Sequence, residues 1–246
     1  MLEITLSRSI WLLCGAALIG AVSIAAARVS APTVSDDVQT CREESGNVAI
    51  AACDRAIGSG LYQGHKLAAL LDNRAFEYRR KRDYDRALAD VTEAIRLDPI
   101  NAEYYNDRGT LWLAKDDYDR ALDDFSAVIR IDPKDRTGFS NRGATWKLKG
   151  EPDRAIADLN EAIRLDPQDY CALYNRALAW SDKGETARAI EDYSAAIRAN
   201  PKYAIALYLR GLAKQQKGDA AGGVADIEAA KKIDPNVGQE RRQAAN

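Results

Sequence analysis

From residue 68 onward, apolar residues recur at spacings of three and four, pause, and recur again. Over residues 102–135 the first half puts Tyr105, Arg108, Gly109 and Trp112 on one face, and the second half puts Ala121, Leu122, Phe125, Val128 and Ile129 on one face. Both halves have the period of an amphipathic helix. The polar run KDDYD (115–119) between them reads as a turn. Asp132-Pro133 reads as a stop, because proline cannot continue a helix and restricts the residue before it. The pattern predicts two antiparallel helices.

The same pattern is written five times. DRALADVTEAIRLDP (85–99) returns at 119–133 and 153–167, and more loosely at 187–201 and 221–235, always 34 residues on. One hairpin cannot bury both faces, so successive copies must stack. Numbering each copy so that its proline is position 32 puts small residues at position 8 (Ala75, Gly109, Gly143, Ala177, Gly211) and at position 20 (Ala87, Ala121, Ala155, Ala189, Gly223). The period and the W-x2-L-G-x2-Y…A-x3-F…P skeleton resemble the tetratricopeptide repeat, or TPR.

The resemblance implies an all-α, right-handed α-solenoid of helix hairpins, with full repeats at 68–101, 102–135, 136–169, 170–203 and 204–237. Residues 41–67 contain NVAIAACDRAI, similar to the second helix of a repeat whose first helix has degenerated, and are expected to cap the stack. A flexible tether is expected over 28–40 and a fraying polar tail over 238–246. Gly222-Gly223 predicts a weak last helix, since glycine costs about 1 kcal/mol relative to alanine within a helix.

The chain departs from the family where leucine is usual at position 7: Arg74, Arg108, Arg142, Arg176 and Arg210 stand there. Position 23 is always aspartate: Asp90, Asp124, Asp158, Asp192 and Asp226. With the turn centred near position 15, the two positions stand at equal height on antiparallel helices. An Arg–Asp ion pair is expected within each repeat or to an adjacent one. Position 11 is Tyr78, Trp112, Trp146 and Trp180, then Lys214, so the fifth repeat is expected to face less core.

Ligands of TPR proteins are usually peptides or protein segments held in the concave groove. Carried over position by position, the groove lining would be Asp72, Phe76, Arg79 and Arg80, then Glu103, Asn106, Thr110 and Leu113, then Ser140, Ala144, Lys147 and Leu148. It would continue with Cys171, Tyr174, Leu178 and Asp182, then Ile205, Tyr208, Leu212 and Gln216. This lining reads as basic around Arg79-Arg80 and aromatic further on, with anchors at Tyr174, Tyr208 and Leu212. The alternative is that the chain's own tail covers these residues. The clamp of chaperone-binding TPR domains needs Lys and Asn where Asp72 and Phe76 stand, so a dicarboxylate peptide is a poor candidate.

Residues 9–27, SIWLLCGAALIGAVSIAAA, carry no charge and follow Arg8. They read as a cleaved secretory signal or as a membrane anchor, and either reading exports the rest to a periplasm-like compartment. There Cys41 and Cys53 are expected to form a disulfide. Cys171 has no evident partner and reads as a free thiol or an intermolecular link.

Thirty-five basic and 37 acidic residues nearly cancel, which argues against nucleic-acid binding by bulk charge. A single histidine, His65, excludes multi-histidine metal sites, and no phosphate-loop or nucleophile-elbow motif occurs. No catalytic residue, metal or cofactor is expected. The function read from the sequence is a non-enzymatic scaffold for a protein or peptide partner. Self-association through the ends of the stack is the second reading, and an enzyme using His65 a remote third.

Overall fold

A computed structural model describes residues 33–239. The signal or anchor expected over 9–27 and the end of the tail lie outside these residues. Within them are twelve α-helices and no strand, and no helix is long and apolar enough to cross a membrane. The chain divides within one helix into an N-terminal unit, described over 33–145, and a C-terminal unit, 146–239.

The N-terminal unit contains α1 (Val34–Glu43), α2 (Gly46–Gly58), α3 (Gly64–Arg80), α4 (Tyr84–Leu97), α5 (Ala102–Ala114), α6 (Tyr118–Ile131) and most of α7 (Arg136–Leu148). The C-terminal unit contains α8 (Pro152–Leu165), α9 (Tyr170–Asp182), α10 (Thr186–Ala199), α11 (Ala204–Gln216) and α12 (Ala220–Ile233). Side chains start the helices: Asp83, Asp117 and Asp219 accept the backbone N–H of Arg86, Arg120 and Gly222. The hairpin turn needs a left-handed residue at position 15. Glycine supplies it at 150, 184 and 218, whereas Arg82 and Asp116 adopt it with a side chain.

Small residues at positions 8 and 20 let paired helices close. A Cβ on Gly109 would meet the Phe125 ring at 2.7 Å, and one on Gly211 would meet the Gly223 carbonyl oxygen at 2.7 Å. Of the glycine pair expected to weaken the last helix, Gly223 therefore sits in a backbone-to-backbone contact with Gly211 while Gly222 faces its own N-cap Asp219, and α12 runs the same 14 residues as α10.

Bidentate ion pairs join the hairpins: Arg74 to Asp90, Arg108 to Asp124, Arg176 to Asp192 and Arg210 to Asp226, all at 2.6–2.9 Å. The remaining guanidinium nitrogen often reaches the preceding copy: Arg142 donates to Ser126, Arg176 to Asn160 and Arg210 to Ser194. One arginine thus ties both the hairpin and the stack. Arg142 and Asp158 fall in different units. Lys214, where an aromatic stands in the other copies, adds a second cation to Asp226 at 2.9 Å. Burial alone would raise the Asp226 carboxyl, but Arg210 and Lys214 together hold it below its ordinary value.

A second ladder was not expected. The guanidinium at position 19 lies over the aromatic ring at position 11 in four copies: Arg86 over Tyr78, Arg120 over Trp112, Arg154 over Trp146 and Arg188 over Trp180, at 4.1–4.7 Å.

The tether expected over 28–40 is helical from Val34. Thr33 and Asp36 form a reciprocal capping box, and Asp37 is buried against Arg55, whose Nε and Nη2 donate at 2.9 and 2.6 Å. Cys41 is bonded to Cys53, joining α1 to α2. These contacts make the N-terminal cap a complete hairpin, not a degenerate half. Cys171 is not a free thiol. Replacing Cys41 and Cys53 by serine is expected to cost about 2 kcal/mol, below the roughly 3 kcal/mol allowed by so short a loop. The check is early proteolysis within α1 and a lower urea midpoint; an unchanged midpoint would show that the bridge is dispensable.

Candidate functional site

The first helices of the N-terminal unit, α3, α5 and the start of α7, carry half of the sequence-predicted groove residues and present a common face. Its centre is a small cleft lined by Asp72, Ala75, Phe76, Arg79, Val91, Asp107 and Leu111. Ala75, Val91 and Leu111 are buried and belong to the core beneath, whereas Phe76 is 48% exposed. The Arg79 guanidinium lies 5.1 Å from the centre of the Phe76 ring. It donates to Asp107 Oδ1 at 3.2 Å and to Thr110 Oγ1 at 3.0 Å. One turn along α5, Asn106 Oδ1 accepts Asn141 Nδ2 at 2.7 Å.

The basic end expected at Arg79-Arg80 is not basic. Arg79 is engaged by Asp107. Arg80 turns to the other side of α3, where it donates to Glu77 at 3.0 Å; Glu77 is buried and also accepts the N–H of Gly46. What remains in the cleft is a surplus of carboxylates. Burial, then the nearby charges of Asp107 and Glu103, push the Asp72 carboxyl up to about 7, with Arg79 opposing. Burial also raises Asp107 against the pull of Arg79.

The C-terminal unit places its predicted residues differently. Tyr174 and Leu178, expected as groove residues, are core: they are 4% and 3% exposed. Tyr174 packs edge-on against Tyr203, with ring centres 5.2 Å apart, and against Tyr193. Leu212 packs partly buried against the same cluster. Tyr208 is covered by the chain itself: a Cβ on Gly238 would meet its ring at 2.3 Å, and Val237 is buried against Leu207 and Ala230, with Tyr208 packed alongside. The segment after α12 therefore folds back onto the last first-helix, instead of fraying from residue 238. The Lys147 side chain is 8% exposed and lies 3.6 Å from Asp182. Leu113 and Leu148 are partly buried, and Gln216 is exposed.

Two members of the N-terminal face, Asp107 and Asn141, were missed from the sequence. Both stand at position 6, where Asn73 and Asn175 also stand. This recurrence of a short polar side chain on an otherwise apolar helix pattern was the available signal. His65 lies exposed at the start of α3 and does not line the cleft.

Residues 73–136 and 149–194 match the family model described as tetratricopeptide repeat, and residues 181–218 match one described as TPR repeat. No curated protein matches the chain. Among solved structures, PilW, a widely conserved type IV pilus biogenesis factor, superposes with a TM-score of 0.64 at 20% identity, covering 68% of this chain and 78% of its own. MamA superposes with a TM-score of 0.59 at 23% identity over 69% of this chain and 92% of its own. YrrB, a TPR protein with an unusual peptide-binding site, gives 0.58 at 23% over 80% and 99%. The chain carries tetratricopeptide repeats and has the all-helical solenoid fold of TPR proteins.

Proposed function

We propose that this protein is a non-enzymatic interaction module, exported to an oxidising envelope compartment, that holds a segment of a partner protein on the first-helix face of its N-terminal unit. The observation that carries the reading is Phe76, an aromatic ring left half exposed among polar groups already fixed by hydrogen bonds. Among the described residues every Tyr and Trp ring is at least partly buried, so an exposed aromatic beside a shallow cleft has the composition of an interface anchor. The fold supports an interaction role, and the peptide site of YrrB shows that a protein of this fold can take a peptide. Export is supported by residues 9–27 and by the Cys41–Cys53 bridge, since disulfides persist in oxidising compartments.

The full chain, used as bait in envelope extract, is expected to retain a discrete protein that the Phe76→Ser variant loses by about tenfold or more. Phe76 is exposed, so the variant should keep its fold. Equal capture by both would remove the face as the functional site.

Self-association through the end of the stack is the second reading. Val224 and Ile233, both on the last helix, are 47% and 42% exposed. It predicts a size in solution that grows with concentration, whereas partner binding predicts a monomer.

A further inference from the structure

Resting on the export proposed above and on the anchor reading of residues 9–27, we infer that one edge of the N-terminal unit, carrying Leu61 and Ile100, lies against the phospholipid surface that holds the anchor. Among the described residues of this unit, four large aliphatic side chains are exposed: Val48, Leu61, Ile100 and Ile131, at 58%, 71%, 78% and 36%. Successive helices alternate in direction, so the loops after α2, α4 and α6 share one edge with the starts of α1, α3, α5 and α7. Leu61 and Ile100 sit in the first two of these loops, and Ile131 ends α6. Val48, near the start of α2, is at the opposite edge. The repeat does not ask for an apolar residue at these loop tips. Ile100 stands at position 33, where the later copies carry Lys134, Gln168, Lys202 and Asn236. Tyr62, not Leu61, packs on the core of the first hairpin. Both loops are held in place: Ser59 Oγ accepts the N–H of Leu61 at 3.3 Å, and Tyr105 Oη donates to the Pro99 carbonyl oxygen at 3.2 Å. A single exposed aliphatic is ordinary, but the two most exposed large hydrophobic side chains of the described chain stand on adjacent loops.

Chain length names the occupant. Thr33 caps α1, and α1 starts on this same edge. Only residues 28–32 separate that cap from the uncharged run 9–27. Five residues reach at most about 18 Å. An anchor ending at residue 27 therefore keeps this edge beside the lipid, where aliphatic loop tips can enter the interfacial layer while the helices stay in water. The charges of the edge do not oppose this. Lys66, Arg130 and Lys134 are exposed and form no ion pair among the described residues. Asp132 and Asp135 are turned onto the backbone N–H of Lys134 and Thr137, at 2.9 and 2.7 Å, and Glu93 is engaged by Arg96. Asp98 and Glu103 are the acids left at the edge. In this posture Phe76, twelve residues into α3, stands about 18 Å above the lipid, so the proposed partner face stays open to the compartment.

The test uses the full chain reconstituted in vesicles of phosphatidylethanolamine and phosphatidylglycerol. A benzoylphenylalanine photoprobe replaces Leu61, Ile100 or Val48 in turn, and lipid adducts are read by mass spectrometry. All three side chains are exposed, so each variant should keep its fold, which circular dichroism checks. Alkaline carbonate extraction reports separately whether the chain is anchored. Expected is a chain that stays with the vesicles through carbonate and gives lipid adducts at positions 61 and 100 several-fold above those at 48. A retained chain whose probes at 61 and 100 give no more adduct than the probe at 48 would overturn this inference and leave the anchor standing. Adducts at 61 and 100 from a chain that carbonate releases would keep the edge and remove the anchor. Release without adducts would overturn both.

Discussion

Asp72→Asn is expected to stabilise the folded chain above pH 7 by up to about 4 kcal/mol, and to leave it nearly unchanged below pH 4. The Asp72 carboxyl is raised from 3.8 to about 7, first by burial and then by the charges of Asp107 and Glu103. Below pH 3.8 the group is protonated in the folded and unfolded chains alike, and its stabilising preference for the neutral state is fully present. As pH rises from there, the unfolded chain gives up the proton and the folded chain keeps it. Stability therefore falls by about 1.4 kcal/mol per pH unit until pH passes about 7, and no further. Asparagine keeps the shape and removes the titration. Burial raises Asp107 in the same direction against the pull of Arg79, and Arg79, Glu103 and Tyr104 are the other charged or titratable groups around the cleft. Urea unfolding of both proteins at pH 3.5 and pH 8 checks it. Curves that separate equally at both values would mean that Asp72 is an ordinary carboxyl and the cleft an ordinary surface. The expected gain also explains why such a residue is worth noticing: a side chain whose removal stabilises the fold is retained for some reason other than stability.

The hairpins were legible because backbone rules repeat: three-and-four spacing, a turn near position 15 and a proline stop recur with one period. The ion pairs were legible for the same reason, since equal distance from the turn fixes equal height on antiparallel helices. The N-terminal hairpin was missed although its frame was in view. Counting 34 residues back from Ala68 gives Val34, the first residue of α1, and in that frame Cys41 and Cys53 stand at positions 8 and 20. The disulfide thus occupies the close contact that small side chains make elsewhere in the chain. Polar QT and REESG around Cys41 hid the helix, which is held by its cap, by the Asp37–Arg55 pair and by the bridge instead of by an apolar stripe.

The site was less legible because exposure is set by the neighbouring copy, and a position rule does not carry it. Position 5 gives partly buried Asp72, Asn106 bonded to the next copy, core Tyr174 and covered Tyr208. The same rule made Arg79 and Arg80 look like a basic pair, when adjacent residues on a helix point about 100° apart and find different acidic partners. Charge at a groove is decided by which cations are already engaged, and pairing across copies is invisible in one copy's sequence.

Arg108→Met is expected to destabilise the chain by about 3–5 kcal/mol, because it strands Asp124, whose side chain is 5% exposed. Burial raises the Asp124 carboxyl and Arg108 opposes that rise through two hydrogen bonds of 2.9 and 2.7 Å. With the guanidinium gone, only the unfavourable part remains. The double replacement Arg108→Met with Asp124→Leu should cost less than the single one, since no charge is then left in the core. The pair Arg164–Glu161, one turn apart on α8 with side chains 66% and 34% exposed, is the contrast: Glu161→Gln should leave the urea midpoint nearly where it is. A single Arg108→Met change as mild as Glu161→Gln would mean that water reaches the hairpin pairs, and that the stack is held by the small-residue contacts at positions 8 and 20 alone. A large single effect relieved in the double variant would locate the specificity of the stack in the pairs themselves. They recur at fixed height in successive copies, and they let a hairpin recognise both its own second helix and the copy before it.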